Sequence, residues 1–148
     1  MSKVRALRLL ASVMGYACVA IGLFHVLGGN LAIPGATSAG ATVDSLGRFL
    51  GAIFAGYGIA WLWAGRQSTV PAAAVRLLTA VFFLGALGRL LSLAVEGRPH
   101  WFQLALGALE LVMSPVLFWL ADADESAQRG RTAEGVPPAA APHTSSEG

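Results

Sequence analysis

Cysteine and charge are what this chain has least of. Its 148 residues include one cysteine, Cys18, so no disulfide can form within the chain and no CxxC redox or zinc pattern exists. Cys18 sits in an apolar run, where a free cysteine usually serves as a small packing residue. Charged residues make up 12% of the chain, against about 25% in an ordinary soluble domain. A formal charge of +2 gives no footprint for nucleic acid. Paired metal-ligand spacings such as HxxxH or ExxH are also missing. What is present is apolar: the hydrophobic fraction is 55% and the mean hydropathy +0.65. A surface with half the usual charge needs another solvent, and lipid is the one available.

Four apolar stretches, at about 9–27, 47–64, 75–95 and 101–120, approach the length that crosses a hydrocarbon core of about 30 Å. They are continuous rather than alternating and too long for strands. The expected fold is therefore all-α, an integral membrane four-helix bundle formed by residues 1–121. A signal peptide fits the first stretch poorly. Its apolar run exceeds the usual length, and the cleavage-like "AGA" at 39–41 lies well beyond its end. Lys3, Arg5, Arg8, Arg66, Arg76, Arg129 and Arg131 fall on one side of the spans, and Arg48 and Arg98 on the other. That bias predicts cytoplasmic N and C termini in a cell membrane. Residues 28–46 then form an external loop, either a lid over the bundle or a plain connector. Asp44 or Ser45 is the expected cap of the second helix, with Arg48 in its first turn. Residues 122–148 read as a disordered cytoplasmic tail, in which His143 carries no weight.

Each span bears small or polar residues at helical spacing. The rows are Gly15, Cys18, Gly22 and His25; Gly47, Gly51, Ala55 and Gly58; Gly85, Arg89, Ser92 and Glu96; and Gln103, Gly107, Glu110 and Ser114. Small residues let membrane helices approach closely, so these rows predict the inward seam of the bundle. Arg89 lies about 10 Å inside Glu96, and Glu110 about 14 Å inside Trp101, on antiparallel helices joined by "EGRPHW". A lone charge at such depth costs about 3 kcal/mol on insertion scales. A bidentate Arg89–Glu110 ion pair would offset much of this. The pair is either a registry device between the third and fourth helices or the floor of an outward-facing polar pocket. In the second case His25 and Arg48 stand above it, and Glu96, Arg98 and His100 form the rim. His25 alone is more often a helix-end histidine bonded to a carbonyl than a ligand. A metal site from His25, Glu110 and His100 lacks the spacing to support it, and neither haem nor any other cofactor is indicated. Pro115 removes one backbone bond from the fourth helix, and a modest kink is expected there with Ser114 bonding locally.

Three phrases, "RFLGAIFAGYGIAWLW" at 48–63, "FFLGALGRLLSLAVEGRPH" at 82–100 and "ELVMSPVLFWL" at 110–120, resemble a bacterial family of small four-span membrane proteins, the domain of unknown function 4345 family. That family looks related to the wider DoxX-like group, some of whose members are linked to quinone-dependent sulfur oxidation. No cofactor motif here carries that activity across. The resemblance implies a fold and a bacterial inner-membrane address, and no reaction. Within the matched phrases, Arg48, Arg89, Gly97, Pro99 and Glu110 are singled out by their chemistry.

The residues thus point first to a non-enzymatic membrane protein whose pocket binds a lipid, quinone or other amphiphile. Arg48 and Arg89 would hold an anionic or carbonyl group, and Glu110 would orient Arg89. The alternatives are a structural or assembly subunit, with a membrane protein partner or a homo-oligomer contact, and a membrane enzyme using Glu110 or His25 as acid–base.

Overall fold

The computed structural model describes residues 3–35 and 39–134. Helix α1 spans Lys3–Gly28 and runs into a single 3-10 turn, Gly29–Ala32; α2 spans Ala41–Arg66, α3 Ala72–Glu96 and α4 Trp101–Glu134. No strand occurs among the described residues. All four helices are long and apolar enough to cross a membrane. Their outer faces carry Leu27, Leu31, Val95 and Trp101 largely uncovered, from 69% to 79% exposed. Water would not tolerate so continuous an apolar surface, and lipid does. The chain is a four-helix membrane protein.

α1 and α2 form a hairpin that touches backbone to backbone. A Cβ added at Gly22 would stand 2.5 Å from the Ala55 nitrogen, and one at Gly58 2.6 Å from the Gly15 carbonyl oxygen. Gly15 and Gly22 are seven residues apart on one helix, and Gly51 and Gly58 on the other. A heptad spacing keeps both contact levels on a single seam. α3 and α4 make the second hairpin. At its turn Gly97 takes φ +86°, a left-handed value that favours glycine.

The two hairpins join firmly at one end only. Leu7, Ala11, Trp61, Val75, Leu117 and Ala121 are fully buried there, in one apolar cluster. Polar clamps reinforce this end. Arg8 donates to the Ser68 carbonyl at 2.5 Å, and the Tyr57 hydroxyl donates to the Leu78 carbonyl at 2.5 Å, tying α2 to α3. Toward the other end the hairpins part.

The seam rows hold on α1, α2 and α4, whose small residues are buried or half-buried. On α3 they do not. Its buried face is Val75, Thr79, Phe82 and Ala86, while Gly85, Ser92 and Glu96 are exposed. Spacing put the row on one face correctly, but the parted hairpins leave that face uncovered in its upper half. α2 also begins six residues before the apolar run at 47, with Gly40 at its N-cap position. Asp44, one of the two expected caps, lies in the first turn instead, where a carboxylate favours the helix N-terminus. At the far end α4 continues to Glu134, so residues 122–134 of the expected tail are helical. Arg76 donates to Asp122 at 2.5 Å and also pairs with Glu125, which pairs in turn with Arg129 one turn on. Hydropathy marks where lipid ends, whereas side-chain pairs of this kind extend the helix past it. The remainder of the tail, 135–148, lies outside the described residues.

Candidate functional site

Between the parted hairpins lies a cavity of about 670 Å³. Met14, Cys18 and Ile21 of α1, Phe54 and Tyr57 of α2, and Phe82 of α3 give it apolar walls. Ile33 and Pro34, from the connector after α1, line it too, and Gly35 lies beside His100 at the start of α4. Leu50, Ile53 and Val81 line the cavity while remaining about half exposed, so its wall runs out onto the lipid-facing surface between α2 and α3. Polar groups are few: His25, Arg89, Ser92, Gln103 and Glu110, besides Cys18 and Tyr57.

Arg89 and Glu110 meet as their depths require. The Arg89 Nε–H is shared between Glu110 Oε1 and Oε2, at 3.2 and 3.1 Å. This differs from the expected two-pronged pair, because Nη1 turns away to donate to Gln103 Oε1 at 2.5 Å. The stem of Arg89 crosses α4 over Gly107, where an added Cβ would come within 3.4 Å of the arginine Cδ. Gln103, Gly107 and Glu110 thus form one cradle of acceptor, gap and acceptor on consecutive turns. Glu110 is 7% exposed and Arg89 only half-buried, so the carboxylate is the deeper partner. A groove of about 350 Å³ lies on the other side of the α3–α4 seam, and Arg89 and Gln103 line it as well. Ser114, one turn below Glu110, donates to the Glu110 carbonyl at 2.7 Å beside Pro115.

His25 lies on the cavity wall with Nδ1 2.8 Å from the Ile21 carbonyl. A carbonyl only accepts, so Nδ1 carries the proton in this contact, and in the neutral ring Nε2 is then an acceptor. Arg48 is elsewhere. Its Nε donates to Asp44 at 2.7 Å and its Nη1 to the Val26 carbonyl at 2.6 Å, which closes the end of α1 against α2. Asp44 also accepts the Asn30 N–H at 2.9 Å. Gly29, at φ +54°, leaves room for this pair, since an added Cβ would meet Asp44 Oδ1 at 2.0 Å. Arg48 is therefore not on the cavity lining, and neither are Glu96, Arg98 and His100. Glu96 and Arg98 are exposed at the α3–α4 turn. His100 caps α4, its Nδ1 accepting the Phe102 N–H at 3.3 Å. No group of histidine, cysteine and acidic residues among those described could hold a metal ion.

Gln103 and Tyr57 were missed as site residues from sequence. Gln103 stood in the α4 row seven residues from Glu110, two turns along the same face, and that spacing was the available signal. Tyr57 lies one position away from the α2 glycine row and gave none.

A multi-pass helical membrane protein, with a charged pair held between two of its spans beside a cavity, is the class these features define. The chain matches the family described as Domain of unknown function (DUF4345) over residues 6–121, and it belongs to that family. No curated protein and no solved structure matches it.

Proposed function

We propose that the chain is a binding protein of the bacterial inner membrane whose cavity takes up an amphiphile from the outer leaflet. The observation that carries this reading is the cavity itself. Its walls are apolar, it reaches the lipid-facing surface, and among its few polar groups Gln103 and Glu110 bond Arg89. Intramembrane charge on a cavity wall marks a site by default. The cytoplasmic placement of both termini is supported by the basic residues of the closed end, Lys3, Arg5, Arg8, Arg66 and Arg76. The cavity then faces outward.

Purification of the full chain in mild detergent, followed by mass spectrometry of bound small molecules, tests the reading. A stoichiometric amphiphile is expected with the wild type and lost with Arg89→Gln. Its absence from the wild type, or its retention by the variant, overturns the proposal.

A second reading has its own observation. Two of the three guanidinium nitrogens of Arg89 are already bonded within the bundle, as a registry device between α3 and α4 would need. On that reading the chain is a structural or assembly subunit.

A further inference from the structure

The open end of the bundle carries six charges, and they cancel. Arg48, Arg89 and Arg98 stand against Asp44, Glu96 and Glu110. Two of these pairs are closed by direct contact, Arg48 with Asp44 and Arg89 with Glu110. Among the described residues on the cavity lining, the formally charged side chains are Arg89 and Glu110, one of each sign and in direct contact, so the pair leaves its polar corner with no formal charge to spare.

That balance decides what the corner can accept. An anionic headgroup brought beside Arg89 would meet the Glu110 carboxylate, which already shares the Nε–H. It would bury a negative charge with no cation left over to compensate it, and an unpaired charge at this depth is strongly disfavoured. A cationic headgroup meets the same obstacle from Arg89. Hydrogen-bonding capacity remains, however. Among the described residues Arg89 Nη2 has no partner, and neither does His25 Nε2, whose side chain also lines the cavity. The first donates and the second accepts.

Resting on the binding reading above, we infer that the cavity selects an uncharged amphiphile whose head carries a carbonyl and a hydroxyl. The carbonyl takes the Arg89 Nη2–H and the hydroxyl donates to His25 Nε2. The apolar tails leave between α2 and α3, past Leu50, Ile53 and Val81. A diacylglycerol has this chemistry; a phospholipid with the same tails does not. Arg48, with its guanidinium committed to Asp44 and to the end of α1, contributes no anion site.

The test compares dioleoylglycerol with dioleoylphosphatidic acid, which differ only in the phosphate, at neutral pH on the full chain in detergent. Three proteins are used: wild type, Glu110→Gln and Gly88→Trp. Gly88 is an exposed residue of the cavity lining and has nothing within 4 Å of where its Cβ would stand, so a large side chain adds bulk at the lining without a backbone clash. The wild type should bind dioleoylglycerol at least about tenfold more tightly than the phosphatidic acid. Gly88→Trp should abolish that binding. Glu110→Gln keeps the shape and an acceptor but leaves Arg89 uncompensated, so the preference should invert toward the anion. Tighter binding of the phosphatidic acid by the wild type, abolished by Gly88→Trp, would overturn the charge inference and leave the cavity reading standing. An unchanged preference in a folded Glu110→Gln variant would also overturn it. If neither lipid binds, or if Gly88→Trp binds as the wild type does, the inference falls, and a different amphiphile that co-purifies with the wild type and is lost with Arg89→Gln would leave the cavity reading standing.

Discussion

The Arg89 guanidinium donates to two different side chains of α4, Glu110 and Gln103. Arg89→Leu strands a 7% exposed carboxylate, Glu110, without its guanidinium donor. We expect a loss of about 2 kcal/mol, below the usual figure for a fully buried pair because Arg89 is only half-buried. Arg89→Leu with Glu110→Leu should regain most of it, since two leucines at these positions need no partner. Unfolding by denaturing detergent in mixed micelles reads both numbers. A double variant no more stable than Arg89→Leu would contradict the pairing. The same double variant separates the two functional readings: a registry device loses little by it, whereas a binding site loses its ligand.

Glu125 poses a different problem at the same scale, since it lies beyond the apolar part of α4 in contact with Arg76 and Arg129. The Arg76 guanidinium holds its carboxyl below the ordinary glutamate value of 4.5. A depressed carboxyl contributes stability that is present above its unfolded value and lost as pH falls through its folded one. Hydrogen exchange over 122–134, corrected for the intrinsic rate, should therefore stay level down to the ordinary glutamate range and quicken below it. Glu125→Gln should flatten that dependence. A wild type whose exchange is level throughout would show that the pair does not hold the helix end.

Among the elements, α1 and α2 depend on each other most. Gly22→Val would place a branched carbon where the Ala55 nitrogen stands 2.5 Å from the Cβ position, and only separation of the helices relieves it. Gly56→Val adds the same side chain on the same hairpin where nothing lies within 4 Å. The first should cost several kcal/mol, about 3 or more by the scale of overpacked cores, and the second under about 1. Thermal melting of the two variants in detergent checks the contrast, and equal melting points would refute the close contact. The glycine rows on α1 and α2 were legible in sequence because spacing alone fixes a helix face. On α3 the same logic named a face and misjudged its cover, because Gly85 and Ser92 line a space rather than a neighbour. Which rows find partners depends on how far the hairpins part, and no residue spacing encodes that.

For the whole molecule, the number of spans and the lipid-facing exterior could be read from hydropathy, and the Arg89–Glu110 meeting from depth along two antiparallel helices. The placement of Arg48 could not. Its position above the α2 row suggested the cavity, yet the Val26 carbonyl and Asp44 hold its guanidinium at the end of α1. The end of α4 was also out of reach, because Arg76, which pairs with both Asp122 and Glu125, lies on another helix.

The fused end has a mechanical consequence. With Leu7, Trp61, Val75 and Leu117 locking the hairpins together below, the molecule has the plan of a pair of tongs with its fulcrum at one tip. Helices of some 25 residues make arms of about 37 Å, so a tilt of roughly 5° at the fulcrum shifts the jaws by about 3 Å. A displacement near the width of a hydrocarbon chain would thus require almost no repacking where the side chains interlock.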